Sequence, residues 1–172
     1  MVSSVSRHDA TATVYNLTVD EAHTFYVLAG KTPILVHNSG CWVGTGGPGN
    51  WGTVAESMSD RALAYQIRVT GGVPSGMGYK VIDSVGEVHF DGFQDGILID
   101  AKGPGYAGLT KNGRFYPGFG INDSAVAQAE NQLRVSGGLP VEWRVAEPVA
   151  VQAFKNLFAD NGIAGINVVY VP

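Results

Sequence analysis

Asp91, Asp100 and Lys102 combine residue type and spacing in a way that supports chemistry. They lie in the run Phe90-Asp91-Gly92-Phe93-Gln94-Asp95-Gly96-Ile97-Leu98-Ile99-Asp100-Ala101-Lys102-Gly103. Residues two apart in a strand share a face, so Asp100 and Lys102 point one way and Ile97, Ile99 and Ala101 the other. With Gln94-Asp95 as a hairpin turn, Asp91 falls on the neighbouring strand and reaches the same pocket as Asp100. Two carboxylates converging beside a lysine suit metal-assisted phosphodiester hydrolysis. Hard oxygen ligands hold Mg²⁺ or Mn²⁺, the metal activates a water and stabilises charge developing on the phosphate, and the lysine orients that water or neutralises the transition state. Aspartate and lysine at a strand end are also common as solvated edge residues, and a D-x-K triplet alone arises by chance in many proteins. Two features favour a site: Ile97-Leu98-Ile99 marks a central strand where unpaired charge is costly, and a second carboxylate sits across a tight turn.

Further candidates stand around this centre. Glu56 can complete a metal shell from the first helix, or be a solvated residue that the helix dipole favours near a helix start. Gln66 follows a core Tyr65 and either faces the site or caps buried backbone. Gln128 and Gln132 are one helical turn apart and share a face that can approach the scissile phosphate, with Gln132 the preferred of the two. His89 shares a strand face with Asp91 and could move protons, although a lone histidine there is more often structural. Tyr106 and Arg114 lie in a long loop, and such loops are often functional. The resulting assignment makes Asp91, Asp100, Lys102 and Gln132 catalytic, Gln66, Gln128 and Tyr106 substrate-binding, and Asp91, Asp100 and Glu56 metal ligands.

These residues need elements to position them. Thr53 is a candidate cap for a helix to about Arg68, with Met58, Ala62, Tyr65 and Val69 on one face. Tyr79 to Asp83, Glu87 to Phe93 and Gly96 to Lys102 then read as three strands with tight turns, predicting an antiparallel meander. A glycine- and aromatic-rich loop from Gly103 to Gly120 leads into a helix that starts at Asn122-Asp123-Ser124 and runs to Val135, closed by Gly137-Gly138. Val141 to Val145 is a further strand, Pro148 opens a last helix to about Asp160, and Ile166 to Val171 ends the chain as a strand. This predicts an α/β (α+β) domain with a mixed sheet flanked by helices. Upstream, Thr13 to Val19, Thr24 to Leu28 and Ile34 to His37 read as three short strands of an all-β segment. Residues 39–50 hold too much glycine for regular structure and read as a linker. Gly44, Gly46 and Gly49 formally satisfy G-x-G-x-x-G, but no strand-to-helix context surrounds them.

Read together, several motifs carry a specific resemblance. Ala64-Tyr65-Gln66, Phe90-Asp91-Gly92-Phe93, Leu98 to Tyr106 with Asp100-Ala101-Lys102 at its centre, Gln128 with Gln132-Leu133-Arg134, and Val141-Glu142-Trp143 with Ala146-Glu147-Pro148 resemble the restriction-endonuclease-fold toxin 5 family of bacterial polymorphic toxins. Its core is of the PD-(D/E)xK type, here with Asp in place of the more usual Glu before the lysine, and the resemblance runs from about Trp51 to Pro172. It implies a restriction-endonuclease-like core, Mg²⁺- or Mn²⁺-dependent cleavage of DNA inside a competing bacterium, and a cognate immunity protein. A second resemblance lies upstream. Val14-Tyr15-Asn16-Leu17-Thr18-Val19, His23-Thr24-Phe25-Tyr26-Val27 and Ile34-Leu35-Val36-His37-Asn38 look like the C-terminal end of a self-cleaving Hint (intein-like) domain. That resemblance implies cyclisation of Asn38 helped by His37, breaking the bond to Ser39 and releasing the toxin near Asn38. The nucleophile half of such a domain is missing from these residues, so residues 1–38 are expected to be an inactive remnant, 39–50 the linker and 51–172 the toxin domain.

Composition bounds the function classes. With 172 residues, 45% of them hydrophobic, the chain can bury one substantial core. One cysteine, Cys41, excludes an internal disulfide and cysteine-rich zinc sites, and the lack of H-x-E and P-C-x-x-C motifs argues against a zinc deaminase. A net charge of -4 argues against strong sequence-independent duplex binding, an objection that weakens where bound metal supplies positive charge. No apolar run approaches the ~20 residues of a membrane span, and Met1 to Arg7 lacks the apolar stretch of a signal peptide, so export is expected to depend on a larger precursor. Other readings are an RNase, a catalytically inactive binding module of the same fold, and a self-processing peptide-bond cleaver. Phe115, Tyr116 and Phe119 are expected either to form a partner surface or to pack back on the core.

Overall fold

The computed structural model describes Thr24–Ala29 and Thr32–His37 by their backbone, and residues 47–172 in full. The chain divides into two compact units, Met1–Ser39 and Gly40–Pro172. In the first, β1 (Thr24–Ala29) pairs antiparallel with β2 (Thr32–His37), in a register that sets Thr24 opposite His37. The strand expected at Thr13 to Val19, residue Asn38 and positions 39–46 lie outside the described residues.

In the second unit the elements run β3 (Asn50–Thr53), α1 (Asp60–Val69), β4 (Met77–Ile82), β5 (Glu87–Phe90), β6 (Gly92–Gln94), β7 (Ile97–Lys102), a 3₁₀ turn (Ala107–Leu109), β8 (Thr110–Lys111), β9 (Arg114–Phe115), α2 (Ile121–Val135), β10 (Val141–Val145), α3 (Pro148–Asp160) and β11 (Ile166–Tyr170). A mixed sheet has the order β11-β10-β7-β6, in which β10 runs parallel to both neighbours and β6 antiparallel to β7. A second, antiparallel sheet has the order β3-β4-β5.

Three sequence expectations change. Thr53 does not cap α1. It ends β3, paired with Met77, and the cap is Ser59, whose hydroxyl accepts from Ala62 N–H at 3.3 Å. The meander is divided: the strand expected over Glu87 to Phe93 breaks at Asp91, and its halves join different sheets. The Asp91 carboxylate takes the Ala101 N–H at 2.6 Å, so a side chain stands where a ladder carbonyl would otherwise accept. The end of the presumed linker is docked. Gly49 N–H donates to the Tyr79 hydroxyl at 2.8 Å, and a Cβ on Gly47 would lie 2.3 Å from that hydroxyl and 2.6 Å from the Phe93 ring.

The mixed sheet is packed on both faces. Toward α2 and α3 it presents Leu98, Val141, Trp143 and Val145, all fully buried. Trp143 meets Phe154 and Phe158 edge to face at centroid distances of 5.2 and 5.0 Å. Toward α1 it presents the alternate residues: the Arg144 guanidinium donates to the Val69 carbonyl, and Gly92, paired with Ile99, lies against Thr70. The Tyr65 hydroxyl donates to the Val171 carbonyl at 3.0 Å, and burial pushes its pKa up to about 12. Phe115 is buried against Phe154, whereas Tyr116 and Phe119 stay exposed.

Candidate active site

β6 pairs with β7 only over Ile97 to Ile99, so beyond Ile99 no strand among the described residues pairs with this edge of β7. A cleft of about 680 Å³ opens there. Asp100, Ala101 and Lys102 line it from β7, Asp91 from the break between β5 and β6, Gln128, Asn131 and Arg134 from α2, Gln66 from α1, and Glu56 from the loop before α1.

Asp100 and Lys102 share a face of β7 as strand periodicity requires, and in the parallel register they lie beside Trp143 and Val145 of β10. The Lys102 Nζ lies 2.5 Å from Asp100 Oδ1 and donates to Gln128 Oε1 at 2.7 Å. Gln128 Nε2 and Gln132 Nε2 each donate to Asp100 Oδ2 at 2.6 Å. Gln132 Oε1 in turn accepts from Trp143 Nε1–H at 2.7 Å, and Lys102 Nζ sits 4.1 Å from the centroid of the Trp143 ring. Every polar atom of this network is satisfied, which makes a buried ion pair sustainable.

The electrostatics divide the roles. Burial, the Asp100 charge and, more weakly, Glu56 raise the Asp91 carboxyl well above the usual carboxylate range, against the Ala101 N–H and the Lys102 charge. Burial alone would lower Lys102, but Asp100, Tyr106 and Asp91 outweigh it and the net shift is upward. Without metal, Lys102 is therefore held as a cation against Asp100.

The oxygens suit a hard divalent ion. A carboxylate offers about four lone-pair positions. Asp100 uses three, on Lys102, Gln128 and Gln132, and keeps one; Asp91 uses one, on Ala101, and keeps three. A cation beside both would relieve the repulsion that raises Asp91. An all-oxygen set matches Mg²⁺ or Mn²⁺ rather than thiolate-seeking metals.

Several predicted site residues lie elsewhere than expected. Gln132, preferred over Gln128 as the catalytic glutamine, is fully buried and holds Asp100 from behind, while Gln128 is the one that lines the cleft. Glu56 is exposed at the rim in a loop and not on a helix, and no group of three or more metal-binding side chains forms among the described residues. Tyr106 is outside the main cleft, edge-on to Phe115 and Phe154, with its pKa raised by burial first. Arg114 pairs with Asp160. His89 lines the cleft but is tied to Glu87 at 2.6 Å, and Glu87 is held below its ordinary value by that hydrogen bond and then by Lys80. His37 ends β2, and Asn38 is outside the described residues. Trp143 was not singled out as a site residue, because nothing local in Val141 to Val145 tells that its indole would meet Gln132 and Lys102 across a parallel strand pair.

A mixed sheet between helices, with paired carboxylates and a lysine at the bare edge of its central strand, defines a restriction-endonuclease-like fold. The chain belongs to the restriction endonuclease fold toxin 5 family, whose model matches residues 62–148. No curated protein and no solved structure matches it.

Proposed function

We propose that this protein is a metal-dependent endonuclease toxin that hydrolyses phosphodiester bonds, DNA in preference to RNA, in the cytoplasm of competing bacteria. The observation that carries the reading is the convergence of Asp91, Asp100 and Lys102 on one cleft, in a chain of this toxin family. Bound Mg²⁺ or Mn²⁺ supplies a Lewis acid for the phosphate and an acidified water. Asp91 and Asp100 hold the ion. Lys102 faces the negative charge that develops on the phosphate oxygens, and Gln128 locks its ammonium against Asp100. Gln132 and Trp143 orient Asp100 without touching substrate, and Glu56 stands ready at the rim. Delivery within a larger precursor, release near Asn38 assisted by His37, and neutralisation by a cognate immunity protein belong to the same proposal.

Supercoiled plasmid and a structured RNA are incubated with the purified chain and Mg²⁺, Mn²⁺ or EDTA, alongside Asp100→Asn and Lys102→Ala. Metal-dependent nicking that both variants lose is the expected result. Intact DNA and RNA in every condition, with a folded protein, would overturn the nuclease reading and leave a binding module of the same fold.

A further inference from the structure

Beside the cleft, a second depression of about 370 Å³ lies between α1 and the segment from Gly103 to Leu109. The two share Met58, Gln66 and Ala101, so they are contiguous. Its other walls include Ala62, Pro104, Tyr106 and Leu109, and no lysine or arginine lines it. Gln66 stands at the junction. The residue is only 5% exposed, and its backbone carbonyl is engaged by the Thr70 hydroxyl at 2.7 Å. Its side-chain amide, by contrast, has no hydrogen-bond partner among the described residues, although no buried polar side-chain atom there is sealed off unsatisfied. The amide therefore meets water through these openings.

We propose that this depression is a nucleobase subsite, in which Gln66 reads the edge of an unpaired base adjacent to the scissile phosphate. The inference rests on the nuclease reading for the identity of the main cleft. A primary amide presents a donor beside an acceptor, the pattern that base edges offer in return. The Met58 thioether and the Tyr106 ring suit the flat face of a base. The nearest guanidinium, Arg61, is engaged by the Pro104 carbonyl at 3.4 Å, so an apolar wall with one amide favours a base over a phosphate. A base stacked in a duplex cannot enter a recess of this kind, so the strand must be single or locally opened. Charge agrees. The chain has 11 lysines and arginines against 15 aspartates and glutamates, and in the cleft Arg134 and Lys102 are already paired with Asp83 and Asp100. With so little free positive charge for phosphates, base contacts must carry a larger share of affinity.

The test is an abasic scan. Fluorescent single-stranded oligonucleotides, each with one abasic position, are titrated with the full chain and with Gln66→Leu by anisotropy in EDTA, where no cleavage is needed. Cleavage of the same set with Mg²⁺ follows, together with the matched duplex. At one position, loss of the base is expected to weaken binding by the parent about tenfold. Gln66→Leu should bind base-bearing and abasic strands alike, and cleavage should favour the single strand. Equal binding of every strand by the parent would overturn the subsite, whether or not the chain cuts and whether or not the variant folds. A base-dependent affinity without any cleavage would instead sink the nuclease reading while the base subsite stood.

Discussion

Lys102 carries its charge into the interior at 7% exposure, and that burial sets what a substitution there does. Removing one member of a buried pair strands the other, so Lys102→Ala is expected to cost about 3–5 kcal/mol of stability, read by urea unfolding. Trp143→Phe keeps an aromatic face under the ammonium but deletes the N–H that Gln132 accepts. A loss of about 1–3 kcal/mol is expected in melting, with single-turnover cleavage about tenfold slower as Asp100 loses its orientation. Asp91 gives a pH signature. Its folded pKa is raised above the ordinary Asp value of about 3.9, so its contribution to stability is full below that value and is lost as pH rises through the folded pKa. The metal-free protein should melt progressively lower as pH rises across that window. Asp91→Asn should remove the fall, and Mg²⁺ should reverse it in the parent. A parent whose melting temperature does not fall would contradict the raised Asp91. Asp91, Asp100 and Lys102 were legible in the sequence because strand alternation and a short turn are local. The burial of Gln132 was not, because it depends on an indole presented by a strand paired in parallel from far along the chain.

At the scale of elements, the cleft exists because β6 is short and the chain changes sheet at Asp91. Helix starts show the limits of local signals. Thr53 and Ser59 are equally good caps by type, and Thr53 is drawn into β3 by pairing with Met77, a contact that closes a loop holding all of α1. The true cap carries a measurable load: Ser59→Ala should destabilise the fold by about 1 kcal/mol, seen as a lowered melting temperature. By contrast, β10 over Val141–Val145 and α3 over Pro148–Asp160 match the sequence reading residue for residue, since alternation and an N-terminal proline each specify their own element. The loop from Gly103 to Gly120 was harder to read. Its aromatics divide between the core, where Phe115 lies, and the surface, where Tyr116 and Phe119 remain, and composition does not separate them.

At the scale of the whole molecule, the second unit holds the family match, the cleft and the buried core. A fragment from Gly40 to Pro172 is therefore expected to unfold cooperatively within a few degrees of the full chain, about the effect of 1 kcal/mol or less, and calorimetry of both checks this. A fragment that does not fold would contradict the division. The three helices and the strands β4, β7, β10 and β11 in their order, the placement of Asp100 and Lys102 on one strand face and the low basic content were determined by the sequence alone, because periodicity and composition are properties of neighbouring residues. Only the tertiary structure decided that the meander splits between two sheets, that Gln128 and not Gln132 faces the cleft, and that Gln66 is left with an unpartnered amide at the edge of a recess. Those outcomes depend on which strands pair and which faces are buried, and they are settled by contacts between residues distant in the chain.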